Sequence, residues 1–418
     1  MRRELAVILG GDVVATVVRT RAGVLRLTYT GDGDGTPLSL SLPPGEVGHT
    51  GAPVEAYLDG LLPEGDEVRR SIGQAHHADP DDVLDLLAAV GKDCAGAVQL
   101  CPPDDVPATL ARTGSLTPCP DGDIEARLDA MDMDEGASWT MPGEHWSLGG
   151  TQGKLALRRQ DGAWFVPQGA EPTTHIVKPG IRRLRAQALV EHFSMHAARL
   201  AGLGAAVTEY ASFRSRAAVV VTRFDRVRDG AGTVRRLHQE DLCQALGTRA
   251  KYEEYGGPSA ARICRLLRDA SSTPRAARAN VWAFLDGFVL NTVLGAPDAH
   301  ARNYAVLLDR DDVTLAPLYD VATGLAYEQP DERRVASMSV GGTFAFAAVD
   351  VGAWRRLAEE VRVDPDELAG RAREIAATIP DAVERALEEA GDGAEATELR
   401  NRLMPAVRAH AARVVRDR

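Results

Sequence analysis

Between Gly295 and Thr323 the chain reads GAPDAHARNYAVLLDRDDVTLAPLYDVAT, with Asp298, His300, Arg302 and Asn303 inside six residues and Asp320 17 positions after Asn303. Moving a phosphoryl group onto a hydroxyl needs such a set. One carboxylate takes the hydroxyl proton, while an amide and a second carboxylate hold magnesium on the phosphates. The interval Asp298-x-x-x-x-Asn303 lets a tight loop turn the aspartate toward an acceptor and the asparagine back toward a metal ion. YAVLL and VTLAPLYD then read as two strands about a DRDD turn. The second strand is expected to end at Asp320 and return it beside Asn303. His300 reads either as a structural hydrogen-bonding residue or as one that orients the loop or touches a phosphate. A charged surface loop ahead of a hairpin has the same composition, so the other parts must be sought upstream.

The interval is the one found in protein-kinase catalytic loops, and the remaining parts of such a site follow in order. SLGGTQGKLAL holds Gly149, Gly150 and Gly153 directly before a strand, where backbone N–H groups could approach phosphate. It is not a Walker A loop, because Leu155 follows Lys154; a plain hairpin turn is the alternative. HIVK reads as a strand ending in Lys178, and the helix after it carries Glu191, placed to pair with that lysine. The alternative is an exposed lysine and a solvated glutamate. VTRFDR stands where a hinge would bind adenine through backbone groups, or is a salt-bridged turn ending a strand.

These parts need a scaffold of strands followed by helices, and the 418-residue chain offers one. It exceeds a single typical core, so two or three domains are expected. Its 44% hydrophobic and 26% charged residues describe a globular chain. No segment offers the roughly 20 apolar residues of a membrane helix, and MRRELAVILGG reads as a first strand and turn rather than a leader, so a cytoplasmic location is expected. Five scattered cysteines form no C-x-x-C pair and suggest core thiols. A net charge of −12 disfavours direct nucleic-acid binding, and RVRDGAGTVRR reads as a solvated hairpin. Residues 1–102 alternate strands and helices as a small α/β unit. Residues 103–145, with the acidic MDMDEG, read as a linker with some helix. Residues 146–225 are strand-rich and 226–418 mostly helical.

The sequence resembles the HipA-type serine/threonine kinases, toxins of bacterial toxin–antitoxin pairs, along nearly its whole length. PLSLSLP, LDGLLPEG, VGKDCAGAVQL, SLGGTQGKLAL, PTTHIVKP, VTRFDR, HQEDLCQALG, KYEEYGGP, GAPDAHARNYAVLL and APLYDV occur in the family's order. The resemblance implies an α+β, two-lobed protein-kinase-like fold: an N-terminal α/β subdomain over 1–102, a linker over 103–145, an N-lobe core over 146–225 and a helical lobe over 226–418.

It also implies roles. Asp298 would be the catalytic base, with His300 in the catalytic loop, and Asn303 and Asp320 would hold Mg2+ on ATP. Gly149, Gly150, Thr151, Gln152, Gly153 and Lys154 would form the phosphate-side loop, with Lys178 on the phosphates and Glu191 as its ion-pair partner. Thr222, Arg223 and Phe224 would be the adenine hinge, and His300, Ala301, Arg302 and Tyr319 further nucleotide contacts. Ser147 falls on the family's inactivating autophosphorylation position, although a turn-capping hydroxyl explains it too. The implied substrate is an aminoacyl-tRNA synthetase, glutamyl-tRNA synthetase first, whose modification halts translation and links the family to persistence. The implied partner is a HipB-like helix-turn-helix antitoxin dimer, through which DNA is met only indirectly. Thr222 replaces an expected acidic residue and Arg302 an expected lysine, and neither change removes a required group. An antitoxin-binding corepressor scaffold and a small-molecule phosphotransferase are the alternatives.

Overall fold

The structure, a computed structural model, describes residues 4–30, 35–45, 48–133, 137, 146–230, 232–391 and 393–417. The chain forms two compact units, one built from 1–179, 211–249 and 306–312, the other from 180–210, 250–305 and 313–418.

The first unit contains a five-stranded sheet in which Glu4–Leu9 lies between the central strand Asp12–Arg19 and the edge strand Val98–Cys101. Both neighbours pair with it antiparallel, as an apolar run with a tight Gly10-Gly11 turn should. A second sheet has Leu155–Gln160 flanked by His175–Lys178 and Ala163–Gly169, with Arg216–Thr222 beyond and Gly114–Pro118 at the edge. The period of two along LAL splits that central strand between two cores. Leu155 and Leu157 join Ile124, Leu128 and Phe213, whereas Ala156 joins the cluster of Leu5, Tyr57 and Trp146.

The stretch read as a linker carries structure of its own. Gly114–Pro118 is a strand pairing antiparallel with Ala163–Gly169, and Asp121–Met133 is a helix that buries Ile124, Leu128 and Met131. Some helix was expected here, but three apolar anchors among many acidic residues gave no sign that it would join a core. Residues 134–136, in MDMDEG, and 138–145 lie outside those described.

A buried charge cluster joins the N-terminal sheet region to the second sheet. Asp93 accepts from Arg226 (3.0 Å), from Arg236 (2.9 Å) and from the Thr173 N–H and hydroxyl (3.1 and 2.7 Å). Arg223 and Arg226 in turn bond Asp225, which also accepts from the Gly96 N–H. Burial alone would raise the Asp93 carboxyl, but Arg226, Arg236 and Arg223 together outweigh it and hold the group well below the usual carboxylate range.

Glu240, on the strand His238–Asp241, is 1% exposed and accepts from the Leu40 N–H at 2.7 Å. Burial pushes its carboxyl up to about 8 from the ordinary 4.5. The folded state therefore keeps a proton that the unfolded chain releases. This contribution to stability is complete below pH 4.5 and is lost as pH rises to about 8. Glu240→Gln should match the wild type in thermal midpoint near pH 4.5 and melt progressively higher than it up to pH 8. A difference that stays constant across melts in that range would contradict this.

The second unit is mainly helical. Pro365–Glu389 packs against Gln187–Leu200, Pro274–Val293 and Ala394–Val414. Its start shows why the sequence enters a helix there: Asp364 accepts from the N–H groups of Asp366 and Glu367, and Pro365 takes the first helical position. No helix among the described residues is long and apolar enough to cross a membrane. All five cysteines are buried thiols, none of them in a disulfide.

Candidate active site

Asp298 is presented by the end of the helix Pro274–Val293. The Gly295 N–H donates to Thr292 O and the Ala296 N–H to Asn291 O, a paired closure that requires the left-handed φ of +57° at Gly295. Pro297 then prevents the helix from resuming. The last turn is tied down by side chains: Asn291 donates to the Tyr304 hydroxyl, and the Thr323 hydroxyl donates to Leu294 O. Asp298 thus starts its loop from a fixed support.

The loop closes on itself. Asn303 Nδ2 donates to the Asp298 carbonyl at 2.7 Å, and a 3-10 turn spans Ala301–Asn303. That bond leaves Asn303 Oδ1, the atom a metal ligand needs, outside it. The Asp298 side chain is 62% exposed, and His300, buried, brings Nε2 to 3.6 Å from Asp298 Oδ1. Tyr252 donates its hydroxyl to the same oxygen at 2.7 Å. Tyr252 lies in KYEEYGGP, where nothing in the local sequence marks it for a role at Asp298. A tyrosine 46 positions before Asp298 bears no local spacing relation to it, so only the fold brings the two together.

The hairpin strands are Ala305–Asp309 and Asp312–Leu315, adjacent in one sheet. The second strand stops at Leu315 rather than at Asp320, since Pro317 has no N–H for a ladder. The return toward the loop continues without a strand: Ala316 N donates to Ala305 O, and the Tyr319 hydroxyl donates to Arg302 O at 2.7 Å. Asp320 is exposed and adopts φ +58°, a left-handed conformation that aspartate tolerates and that often marks functional sites. Among the described residues no group of three or more His, Cys, Asp or Glu could hold a metal. Magnesium between one carboxylate, one amide and nucleotide phosphates needs no such cluster, and the Asn303–Asp320 donor set fits that chemistry.

The remaining predicted residues fall in the first unit, with Glu191 in the second. The Ser147 hydroxyl donates to Leu61 O at 2.6 Å and is fully buried. Gly150 O accepts from the Glu64 N–H, and Lys154 Nζ, also buried, donates to Gly149 O at 3.0 Å. A side chain at Gly149 would meet the Gly60 carbonyl at 3.1 Å, and Gly150 takes φ +100°, so the glycines serve close approach and turning. Thr151, Gln152 and Gly153 complete the segment ahead of Leu155–Gln160. Lys178 and Glu191 are both buried, at 7% and 0% exposure, which removes the alternative of a solvated pair. Thr222 pairs with His175 at the strand end. The Arg223 side chain points into the Asp225 and Thr173 cluster, so the salt-bridged turn accounts for that side chain, and only backbone remains for a hinge contact.

Residues 5–101 match the HipA N-terminal domain and residues 146–383 the HipA-like C-terminal domain. A Sinorhizobium fredii protein named "Putative kinase Y4mE" is 34% identical over 404 residues, 93% of each chain. The HipA chain of Shewanella oneidensis, solved with HipB and operator DNA, superposes with a TM-score of 0.83 over 98% of this chain and 97% of that one, at 24% identity.

Proposed function

The chain belongs to the HipA-like family, and from that premise we propose that it is a Mg-ATP-dependent serine/threonine protein kinase, the toxin of a toxin–antitoxin pair. The observation that carries this reading is the closed loop in which Asn303 bonds the Asp298 carbonyl while the Asp298 carboxylate stays open to solvent. An acceptor hydroxyl gives its proton to Asp298 as its oxygen bonds the γ-phosphorus and the bond to the β-phosphate oxygen breaks, releasing ADP. Magnesium held by Asn303 and Asp320 would neutralise charge on the phosphates. Lys178 and the Gly149–Lys154 segment serve the triphosphate, and backbone groups of Thr222–Phe224 serve the adenine. His300 orients the loop, which its burial against Asp298 supports.

The acceptor is assigned to an aminoacyl-tRNA synthetase, glutamyl-tRNA synthetase first, and the partner to a separately encoded helix-turn-helix antitoxin. The antitoxin assignment is supported by the HipA–HipB–operator complex that shares this fold. A titration of ATP with and without magnesium separates this reading from a corepressor scaffold. The kinase binds ATP more tightly with the metal, and a scaffold shows no metal-dependent affinity.

Ser147 is the proposed self-inactivation site. Its hydroxyl occupies a buried position against Leu61 O that cannot hold a dianionic phosphate, so the modified glycine segment must leave that position. Phosphopeptide mass spectrometry after incubation with Mg-ATP should place phosphate on Ser147. An active preparation without it there would count against self-inactivation.

A further inference from the structure

We infer that Tyr252 is a positioning residue for phosphoryl transfer, holding the Asp298 carboxylate so that Oδ2 faces the acceptor hydroxyl. The inference rests on the reading of Asp298 as the base and adds a residue to it. The Tyr252 hydroxyl donates to Asp298 Oδ1 at 2.7 Å, while His300 Nε2 stands 3.6 Å from the same oxygen. The Tyr252 ring meets the His300 ring edge-on, with centroids 5.0 Å apart and planes at 84°. One oxygen of an exposed carboxylate is thereby held by the Tyr252 hydroxyl, with the His300 ring close beside it, and the other is left for the proton.

Both partners are fixed by one strand. In Val335–Val340, Ser337 and Ser339 share a face. The Ser337 hydroxyl donates to Pro297 O, the residue before Asp298, at 2.6 Å. Ser339 donates its N–H and hydroxyl to the carboxylate of Glu253, the residue after Tyr252, at 2.7 and 3.0 Å. The Tyr252 turn is closed by its own backbone, with Gly257 N donating to Tyr252 O at 2.8 Å. A floppy surface tyrosine would need none of this. An aspartate able to rotate among rotamers would spend less time in the reactive geometry, and loss of orientation of this kind slows transfer without weakening nucleotide binding.

Tyr252→Phe keeps the ring against His300 and removes only the hydroxyl. The test is single-turnover incorporation of γ-phosphate from Mg-ATP into the chain's own serines, for wild type, Tyr252→Phe, Asp298→Asn and the double variant. Tyr252→Phe should lower the rate at saturating ATP by about ten-fold with the half-saturating ATP concentration and thermal midpoint unchanged. The double variant should be no slower than Asp298→Asn alone, since the tyrosine acts through that carboxylate. The inference is overturned by a wild-type maximal rate in Tyr252→Phe, by a loss confined to ATP affinity, or by a double variant slower than Asp298→Asn by the full factor. Normal transfer by Asp298→Asn would instead overturn the reading of Asp298 as base, a result separate from the Tyr252→Phe rate.

Discussion

Asp298→Asn should lower the maximal rate of transfer from Mg-ATP by about 10²- to 10⁴-fold, the range a general base contributes, with no loss of fold. The substitution is close to isosteric, and the bond that closes the loop uses the Asp298 backbone carbonyl rather than its side chain. An asparagine Oδ1 still accepts from Tyr252, and a side chain 62% exposed leaves no buried group unpaired when its charge is removed. What disappears is the ability to take a proton. Asp320→Asn should abolish transfer by a different route, through loss of metal-dependent ATP affinity. Asparagine tolerates the left-handed φ of +58° as aspartate does, whereas alanine there would add strain of roughly 1–2 kcal/mol and confuse the result. Kinetics together with thermal melts check both. Transfer at the wild-type rate by either variant contradicts the site.

The second large effect is on stability. Asp93→Asn should cost about 3–5 kcal/mol at neutral pH, the usual consequence of removing one partner from a buried ion cluster. Asp225 still serves Arg223 and Arg226, but Arg236 and the second face of the buried Arg226 lose their counter-charge. The pH dependence has a definite sign. Because the folded-state carboxyl lies below the ordinary 3.8, its stabilisation is complete above that value and is lost as pH falls further. The gap between wild type and Asp93→Asn should therefore be widest near neutrality and narrow below pH 3.8. At neutral pH a midpoint lower by roughly 10 °C is expected. A shift under 2 °C would mean that the cluster contributes little.

The contrast between those two sites shows what could be read from residue order. Asp298 and Asn303 lie on one loop and the hairpin is local, so their proximity could be read from spacing, while a role for them needed the lysine and glycine segments upstream. Long helices such as Pro274–Val293 carry their caps and apolar faces in the sequence. The cluster around Asp93 was not legible, because its members come from four separate stretches and each charged one alone reads as a surface residue. Arg223 illustrates the difficulty: the same VTRFDR segment supports a hinge by backbone and a buried ion pair by side chain, and only packing separates them. Tyr252 was missed for the same reason of distance. The Gly114–Pro118 strand was missed because it is exposed along most of its length and gains its identity from pairing with Ala163–Gly169. Asp320 was expected at a strand end and instead is separated from the strand by four residues, since Pro317 interrupts the ladder and the Tyr319 hydroxyl takes over the tie to Arg302.

The central claim is that this chain moves the γ-phosphate of ATP to a protein hydroxyl. The most direct measurement incubates the purified protein with γ-labelled ATP and analyses the labelled residues, with and without magnesium and with Asp298→Asn in parallel. Magnesium-dependent label on serine or threonine, absent from the variant, is the expected result. No transfer by the wild type in the presence of magnesium, or equal label in both proteins, would contradict it.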